Sequence, residues 1–138
     1  MARIAAGLAL LAGVVPHARA QQRALRPQAE RRWIEAAFDM QRRAESWGDQ
    51  PYGAVVVLGD ALAGEGPSRV VKNKDEDAHA EREAIRDAQR RLGRTALTGA
   101  VLYSTSHPCR RCERVAAQAG IARMIHGREL QDAGPPRG

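Results

Sequence analysis

The chain has 138 residues, which is enough for one domain with a core of its own. Hydrophobic residues make up 43% of it and charged residues 28%, the composition of a soluble globular protein and not of a disordered or membrane-embedded chain. The net charge of +6 comes from arginines spread along the chain without a long basic run, which indicates an arginine-rich surface; a nucleic-acid footprint is the alternative.

Residues 1–20 predict a secretory signal peptide. Arg3 precedes an apolar run over 4–15, and an A-x-A pattern ends at Ala20, which is the order of the n-, h- and c-regions. The run of about 12 residues is too short to cross a bilayer comfortably as a helix. We expect cleavage before Gln21, export to the periplasm or the medium, and no membrane association afterwards; a retained anchor is the alternative.

A linker at 21–30 leads into a predicted domain over 31–127. Apolar residues at spacings of four and three predict a helix over 33–47, which Gly48 ends as a left-handed C-cap. The β-branched run AVVVL at 54–58 predicts a strand that is covered on both faces. The ALAGEG sequence after it predicts a weak second strand of a hairpin, because alanine and glycine have low strand propensity.

Two further helices and two strands follow the hairpin. Asp77 is the predicted N-cap of a helix with alanines at every fourth residue, and Gly93 closes that helix. The sequences at 100–106, 109–120 and 122–126 predict a strand, a helix and a strand. This alternation predicts parallel pairing with right-handed crossovers.

The two cysteines of the chain lie at the start of the second of these helices. Cys109 directly follows a strand and His79 opens the preceding helix, so we expect both at the sheet edge where ligands bind in open α/β sheets. Cys109 and Cys112 share one face of a helix turn. An imidazole and two thiolates are zinc ligands that leave a fourth position for water. Glu81, two residues after His79, is expected to reach that water and not the metal.

Each half of this pattern is weak by itself. A His-x-Glu sequence is usually an accident of a helix surface, and a Cys-x-x-Cys pair in an exported protein is more often a disulfide. Together, HAE at 79–81 and PCRRC at 108–112 form the H-x-E…P-C-x-x-C signature of zinc deaminases. An exported thiol-disulfide protein is the alternative interpretation.

Four stretches, GDQPYGAVVV, SRVVKNKDEDAHAE, LYSTSHPCRRC and AGIARMIHG, follow the pattern of one superfamily. Over about residues 31–127 the chain resembles the cytidine and deoxycytidylate deaminases, and most closely the branch of bacterial guanine, nucleoside and tRNA adenosine deaminases. The resemblance implies an α/β fold, a three-layer α/β/α sandwich around a central mixed sheet. It also implies a Zn2+ cofactor held by His79, Cys109 and Cys112, with Glu81 as the catalytic proton shuttle.

The chain departs from the pattern of these relatives at several places. Ser68 stands where they usually have an asparagine that lines the substrate pocket, and His107 where they tend to have glutamate. The resemblance implies substrate contacts at Ala80, Ser68 and Pro108, whereas His107 and His126 are interpreted as ordinary histidines at strand ends. The fifth strand and the C-terminal helix of the relatives are expected to be absent, so the fold is expected to be shortened at its C-terminus.

These observations predict a zinc-dependent hydrolase that releases ammonia from an amino-nucleobase or nucleoside. A purine such as guanine or adenosine is favoured as the substrate over a pyrimidine. Zinc would lower the pKa of its water, and Glu81 would move the protons. The expected partners are this small molecule and a second copy of the chain in a homodimer, and residues 128–138 are expected to be a disordered tail. A catalytically idle deaminase-like binding protein and a deaminase of tRNA or another nucleic acid are the alternatives.

Overall fold

The computed structural model describes residues 16–138, so the prediction of a signal peptide falls mostly outside the described residues. No helix in the described part of the chain is both long and apolar enough to cross a membrane. The elements follow one another as α1 (Pro16–Ser46), β1 (Gly53–Leu58), β2 (Ala61–Pro67), α2 (Val70–Asn73), α3 (Ala80–Leu92), β3 (Val101–Ser104), α4 (Arg110–Ala119), β4 (Arg123–His126) and β5 (Gln131–Gly134).

The strands form one mixed sheet in the order β2-β1-β3-β4-β5. β1 is antiparallel to both β2 and β3, so β2 and β3 run in the same direction on either side of it. β3 and β4 pair in parallel, and β5 is antiparallel to β4. The predicted parallel direction is therefore confirmed for β2 and β3, which α3 connects, and for β3 and β4, which α4 connects. It is wrong for the pairing of β1 with β3, because the hairpin reverses the chain before the first crossover.

Helices cover both faces of this sheet. Alternate residues of β1 point to opposite sides, with Val55 in a core under α1 and Val56 in a core under α3 and α4. The α1 side buries Ile34 against the sheet, and the opposite side buries Ile85. The predicted three-layer α/β/α sandwich with a mixed sheet is confirmed.

The glycines of β2 allow the backbone of α3 to approach the sheet closely. A Cβ atom at Gly66 would lie 2.1 Å from the carbonyl oxygen of Ala80, and one at Gly64 would lie 2.3 Å from that of Ala84. The low strand propensity of ALAGEG is therefore overridden by tertiary packing, and the predicted hairpin is confirmed. This packing fixes the first turn of α3, which carries His79 and Glu81.

Two of the predicted helix starts are wrong. Residues 21–30 lie within α1, a helix of 31 residues, and not in a linker. The alanine, glutamine, arginine and leucine of this stretch are good helix formers, although Pro27 also lies inside the helix. The N-cap of α3 is His79 and not Asp77, whose carboxylate instead accepts a hydrogen bond from Arg111. The predicted end of the first helix is confirmed, since Gly48, two residues after the last residue of α1, has a φ of 73°.

The segment after β4 is ordered in the structure, which corrects the expectation of a disordered tail over 128–138 and of a missing fifth strand. The backbone of β5 pairs with the open edge of β4. Arg123 of β4 also binds the Asp132 carboxylate at 2.8 Å. Further on, the backbone N–H and Nε of Arg137 donate to the Glu113 carboxylate of α4 at 2.9 and 3.0 Å.

Candidate metal centre

The first turns of α3 and α4 bring three ligand atoms together at one edge of the sheet. Both helices begin near the carboxyl ends of strands that run in the same direction, and their N-caps are His79 and Cys109. The Nδ1 atom of His79 lies 3.7 Å from the Sγ of Cys109 and 3.5 Å from the Sγ of Cys112. All three ligand atoms lie within 4.8 Å of one another.

These distances and donor types fit a zinc ion. Zinc bonds of about 2.3 Å to sulfur and about 2.0 Å to nitrogen, at tetrahedral angles, put neighbouring ligand atoms roughly 3.6 Å apart. One imidazole nitrogen and two cysteine sulfurs provide three of the four positions of a tetrahedral site, which leaves the fourth open as in catalytic zinc sites. His79, Cys109 and Cys112 are therefore positioned to bind a metal, as the sequence predicted.

Burial makes a bound cation important for the thiolate form of Cys112. The Cys112 side chain is fully buried. Burial raises the pKa of its thiol, and the nearby Glu81 carboxylate raises that pKa further. A divalent cation at this site would supply the positive charge that a coordinating thiolate requires.

Glu81 lies beside the three ligand residues on the second position of α3. Its side chain is buried, with 6% of the residue exposed. Burial raises the pKa of the carboxyl group above its ordinary value, although the charges of His79 and His107 act in the opposite direction. A carboxyl group with a raised pKa is suited to take up and return a proton near neutral pH.

A pocket of about 510 Å³ opens at this edge, a size that suits a small organic ligand. Of the predicted substrate contacts, Ala80 and Ser68 line the pocket, whereas Pro108 is buried beside it and is not among its lining residues. The lining residues are Gln50, Pro51, Tyr52, Ser68, His79, Ala80, Glu81, Ser106, His107 and Cys109. Two of the metal ligands, His79 and Cys109, therefore belong with Glu81 to the wall of one pocket, whereas Cys112 is buried and is not among the lining residues.

Asp49 holds two walls of this pocket together, a role that the sequence analysis missed. Its carboxylate accepts the Ser68 hydroxyl at 2.9 Å and the backbone N–H of Lys72 and Gln50, each at 2.8 Å. Burial alone would raise the pKa of Asp49, but these donors outweigh burial and lower it below the ordinary value. The only sequence signal was its position in the GDQPYG stretch that carried the family resemblance.

His107 is a second residue that the sequence analysis underestimated. Its sequence position is that of an ordinary histidine at a strand end, but it lines the pocket with His79 and Glu81. Its Nδ1 atom lies 2.9 Å from the carbonyl oxygen of Pro108. The ring of His126, at the end of β4, meets it edge-on with centroids 4.9 Å apart.

Comparison with known proteins agrees with this site. The family model described as the cytidine and deoxycytidylate deaminase zinc-binding region matches residues 27–128. A tRNA-specific adenosine deaminase of Buchnera aphidicola subsp. Schizaphis graminum is 32% identical over 100 residues, which cover 72% of this chain and 66% of that protein. The guanine deaminase of Bacillus subtilis is 42% identical over 83 residues, which cover 60% of this chain and 53% of that protein.

Solved structures of a guanine deaminase and of a tRNA:A34 deaminase are also similar to this chain. The crystal structure of guanine deaminase from Bacillus subtilis superimposes with a TM-score of 0.66 and 30% identity, covering 69% of this chain and 61% of that one. A tRNA:A34 deaminase structure superimposes with a TM-score of 0.67 and 35% identity, covering 70% of each chain. The chain thus spans about two thirds or less of the length of the two sequence relatives.

Proposed function

The chain belongs to the cytidine and deoxycytidylate deaminase zinc-binding family, and from this premise we propose that it is a zinc-dependent deaminase of an amino-nucleobase or nucleoside. The observation that carries the proposal is the meeting of His79, Cys109 and Cys112 at the edge of a pocket whose wall includes the buried Glu81. Three ligands for zinc, an open fourth position and a carboxyl group are what hydrolytic deamination requires.

In the proposed reaction, metal binding and proton transfer are assigned to different residues. His79, Cys109 and Cys112 would hold a zinc ion, which when bound would lower the pKa of a coordinated water toward about 7. Glu81 takes a proton from the attacking water and delivers protons to a ring nitrogen and to the departing amine. A C–O bond forms, the C–N bond to the exocyclic amine breaks, and the products are the keto base and ammonia.

The aromatic residues favour a free base or nucleoside over a folded tRNA as substrate. A loop with a flipped base needs aromatic rings for stacking and a wide phosphate-contacting surface. Two aromatic rings of the chain are instead in contact with its own cations. The centroid of the Trp47 ring lies 3.7 Å from Lys72 Nζ, and that of the Phe38 ring lies 3.8 Å from the Arg128 guanidinium. Tyr52, which is 44% exposed at the pocket, is the aromatic side chain best placed to stack on a single base.

Deamination of adenosine in tRNA is the second candidate. It is favoured by the similarity to tRNA-specific adenosine deaminases and by the net charge of +6, which could supply phosphate contacts. One experiment separates the two candidates: the zinc-loaded protein is incubated with guanine, adenosine, cytidine and an anticodon stem-loop, and released ammonia is measured. We expect turnover of a base or nucleoside, and turnover confined to the stem-loop would replace the first candidate by the second.

We also propose that the protein is exported after cleavage near Gln21 and that it acts as a homodimer. The n-, h- and c-region order of residues 1–20 supports export. Val71 of α2, which is 55% exposed, is an apolar side chain that a second copy would cover. Mass spectrometry of the protein from the periplasm of a bacterial host tests the cleavage, and an intact Met1 in the cytosolic fraction would contradict it. Light scattering tests the dimer, and a monomer mass would contradict it.

A further inference from the structure

One ion pair connects the two short segments that carry all three metal ligands. Arg111 lies between Cys109 and Cys112 at the start of α4, and Asp77 lies two residues before His79, the N-cap of α3. The Nη1 atom of Arg111 donates to Oδ1 of Asp77 at 3.0 Å, and the two residues are 34 positions apart in the sequence. The pair is therefore a bridge between the two halves of the metal centre.

The Asp77 carboxylate is also in contact with the helix that follows it. Its Oδ1 atom lies 3.5 Å from Nη1 of Arg82, in the first turn of α3. The backbone N–H of Asp77 donates to the Asp75 carboxylate at 2.9 Å, within the turn before α3. Asp77 thus contacts one arginine from each of the two helices, and the three side chains form a small network and not an isolated pair.

The second arginine between the two cysteines has a different kind of partner. Nη1 of Arg110 lies 3.9 Å from the Glu113 carboxylate, which belongs to the same helix. An ion pair within one helix does not restrain the distance between two helices. Arg110 and Arg111 therefore carry the same charge beside the same cysteines, but it is Arg111 that binds the segment carrying His79.

We propose that Asp77 and Arg111 are positioning residues for the metal, and that their bridge holds the starts of α3 and α4 at the spacing that zinc requires. The ligand atoms are already close, with His79 Nδ1 at 3.5 and 3.7 Å from the two sulfurs. Ligands that are held in place before binding lose less conformational freedom when the ion binds, so the ion is bound more tightly. This inference rests on the proposed function, whose zinc site it concerns, and deepens it.

The sign of the effect separates this role from a simple effect of charge. Arg111 is a cation beside a site for a divalent cation, so its removal would by charge alone reduce repulsion and strengthen zinc binding. Loss of the bridge acts in the opposite direction. Weaker zinc binding after the removal of this positive charge would therefore indicate a role in position and not in charge.

The test compares zinc dissociation constants, measured by competition between each zinc-loaded protein and a chromophoric chelator. Arg111→Gln, Asp77→Asn and the double variant break the bridge. Arg110→Gln removes the same charge from the start of the same helix and is the matched control. Arg91→Gln breaks an ion pair of 2.7 Å with Glu65 at the other end of α3 and is the control for stability. The thermal unfolding midpoint of each zinc-loaded variant is measured in parallel.

We expect a small effect, because the Arg111 and Asp77 side chains are 59% and 43% exposed. Arg111→Gln and Asp77→Asn should each raise the zinc dissociation constant about 2- to 5-fold, the range for an exposed ion pair. The double variant should bind zinc no more weakly than Asp77→Asn, because both changes break the same bridge. Arg110→Gln and Arg91→Gln should keep the zinc dissociation constant of the parent.

Three results would overturn the inference alone. Zinc binding by Arg111→Gln that is as tight as in the parent, or tighter, would show that the bridge does not position the ligands. An equal loss in Arg110→Gln would indicate an effect of charge, and an equal loss in Arg91→Gln would indicate an effect of overall stability. In each case one zinc ion per chain in the parent leaves the proposed function standing. A parent protein that binds no zinc would overturn the inference together with the proposed function.

Discussion

The metal edge of the sheet and the C-terminal segment are held together by different kinds of contact. At the metal edge, groups from separate parts of the chain meet: the buried Cys112 and Glu81 lie beside the half-buried His79, and the buried Asp49 binds Ser68. The segment after β4 is held by backbone pairing and by ion pairs of exposed arginines, such as that of Arg137 with Glu113. Buried polar groups are costly to leave unpaired, whereas ion pairs whose arginine is open to solvent contribute less, even where the carboxylate is buried as in Glu113. Substitutions at the metal edge should therefore have much larger effects.

The largest effect is expected from Cys112→Ser, which removes a metal ligand. Zinc content should fall from about one ion per chain to near zero, and turnover should be lost with it. The thermal unfolding midpoint should also fall, because the free energy of metal binding is also free energy of folding. Metal analysis and thermal unfolding measure the two effects. Ser106→Ala, which changes the same pocket without removing a ligand, is the control, and zinc retention by Cys112→Ser at the parent level would contradict the assignment.

Glu81→Gln should separate proton transfer from metal binding. Glutamine keeps the shape of the side chain but cannot take up a proton, so turnover should fall roughly 10²- to 10⁴-fold. Zinc content and the free energy of unfolding should stay close to those of the parent. Initial rates of ammonia release measure the effect, with Glu76→Gln in the exposed loop before α3 as the matched control. A Glu81→Gln variant as fast as the parent would show that another group moves the proton.

Gly66→Ala tests the close approach of β2 to α3 that supports the metal edge. The new Cβ would meet backbone atoms of α3, which cannot rotate away as a side chain could. We expect a loss of about 1–3 kcal/mol in the free energy of unfolding, the usual cost of overpacking, and weaker zinc binding because α3 carries His79. Urea unfolding and metal titration check both. Gly138→Ala, with open space around the added methyl, is the matched control, and equal stability of the two variants would refute the packing argument.

The metal edge could largely be predicted from the sequence because its chemistry admits few residue types. Only a handful of side chains bind zinc, and the spacings at 79–81 and 108–112 fit helix starts after strands. Strands β1, β3 and β4 could be predicted from their apolar and β-branched runs. The packing role of the glycines in β2 could not be predicted, because it depends on the close approach of α3, which the sequence of β2 alone does not show.

The remaining features could not be predicted because their partners are distant or their residues are common. A single aspartate in a loop, such as Asp49, resembles any turn aspartate until Ser68 and Lys72 are placed beside it. The QDAG sequence of β5 has little strand propensity, and it forms a strand because the edge of β4 offers free backbone groups. His107 is a histidine at a strand end by sequence, and only the structure places it in the pocket.

Asp49→Asn should destabilise the protein in a pH-dependent way. The folded-state pKa of Asp49 lies below its ordinary value, so its contribution is present above about pH 4 and is lost as the pH falls through the folded pKa. We expect Asp49→Asn to lower the free energy of unfolding by about 1–2 kcal/mol at pH 7. The difference from the parent should shrink below pH 4, as measured by urea unfolding. Asp60→Asn, on the exposed turn after β1, is the control, and a difference that stays constant with pH would contradict the assignment.

The smallest effect is expected from Arg137→Ala in the C-terminal segment. The variant removes the guanidinium that binds Glu113 but keeps the backbone N–H that donates to the same carboxylate, so only part of the attachment is lost. Amide hydrogen exchange should become faster in β5 and in the residues after it, while zinc content and turnover should match those of the parent. The ion pair is exposed on the arginine side, so high salt should produce a similar change in the parent. Loss of zinc in Arg137→Ala would instead show that the segment holds the start of α4 in place, and the two regions would then form one unit.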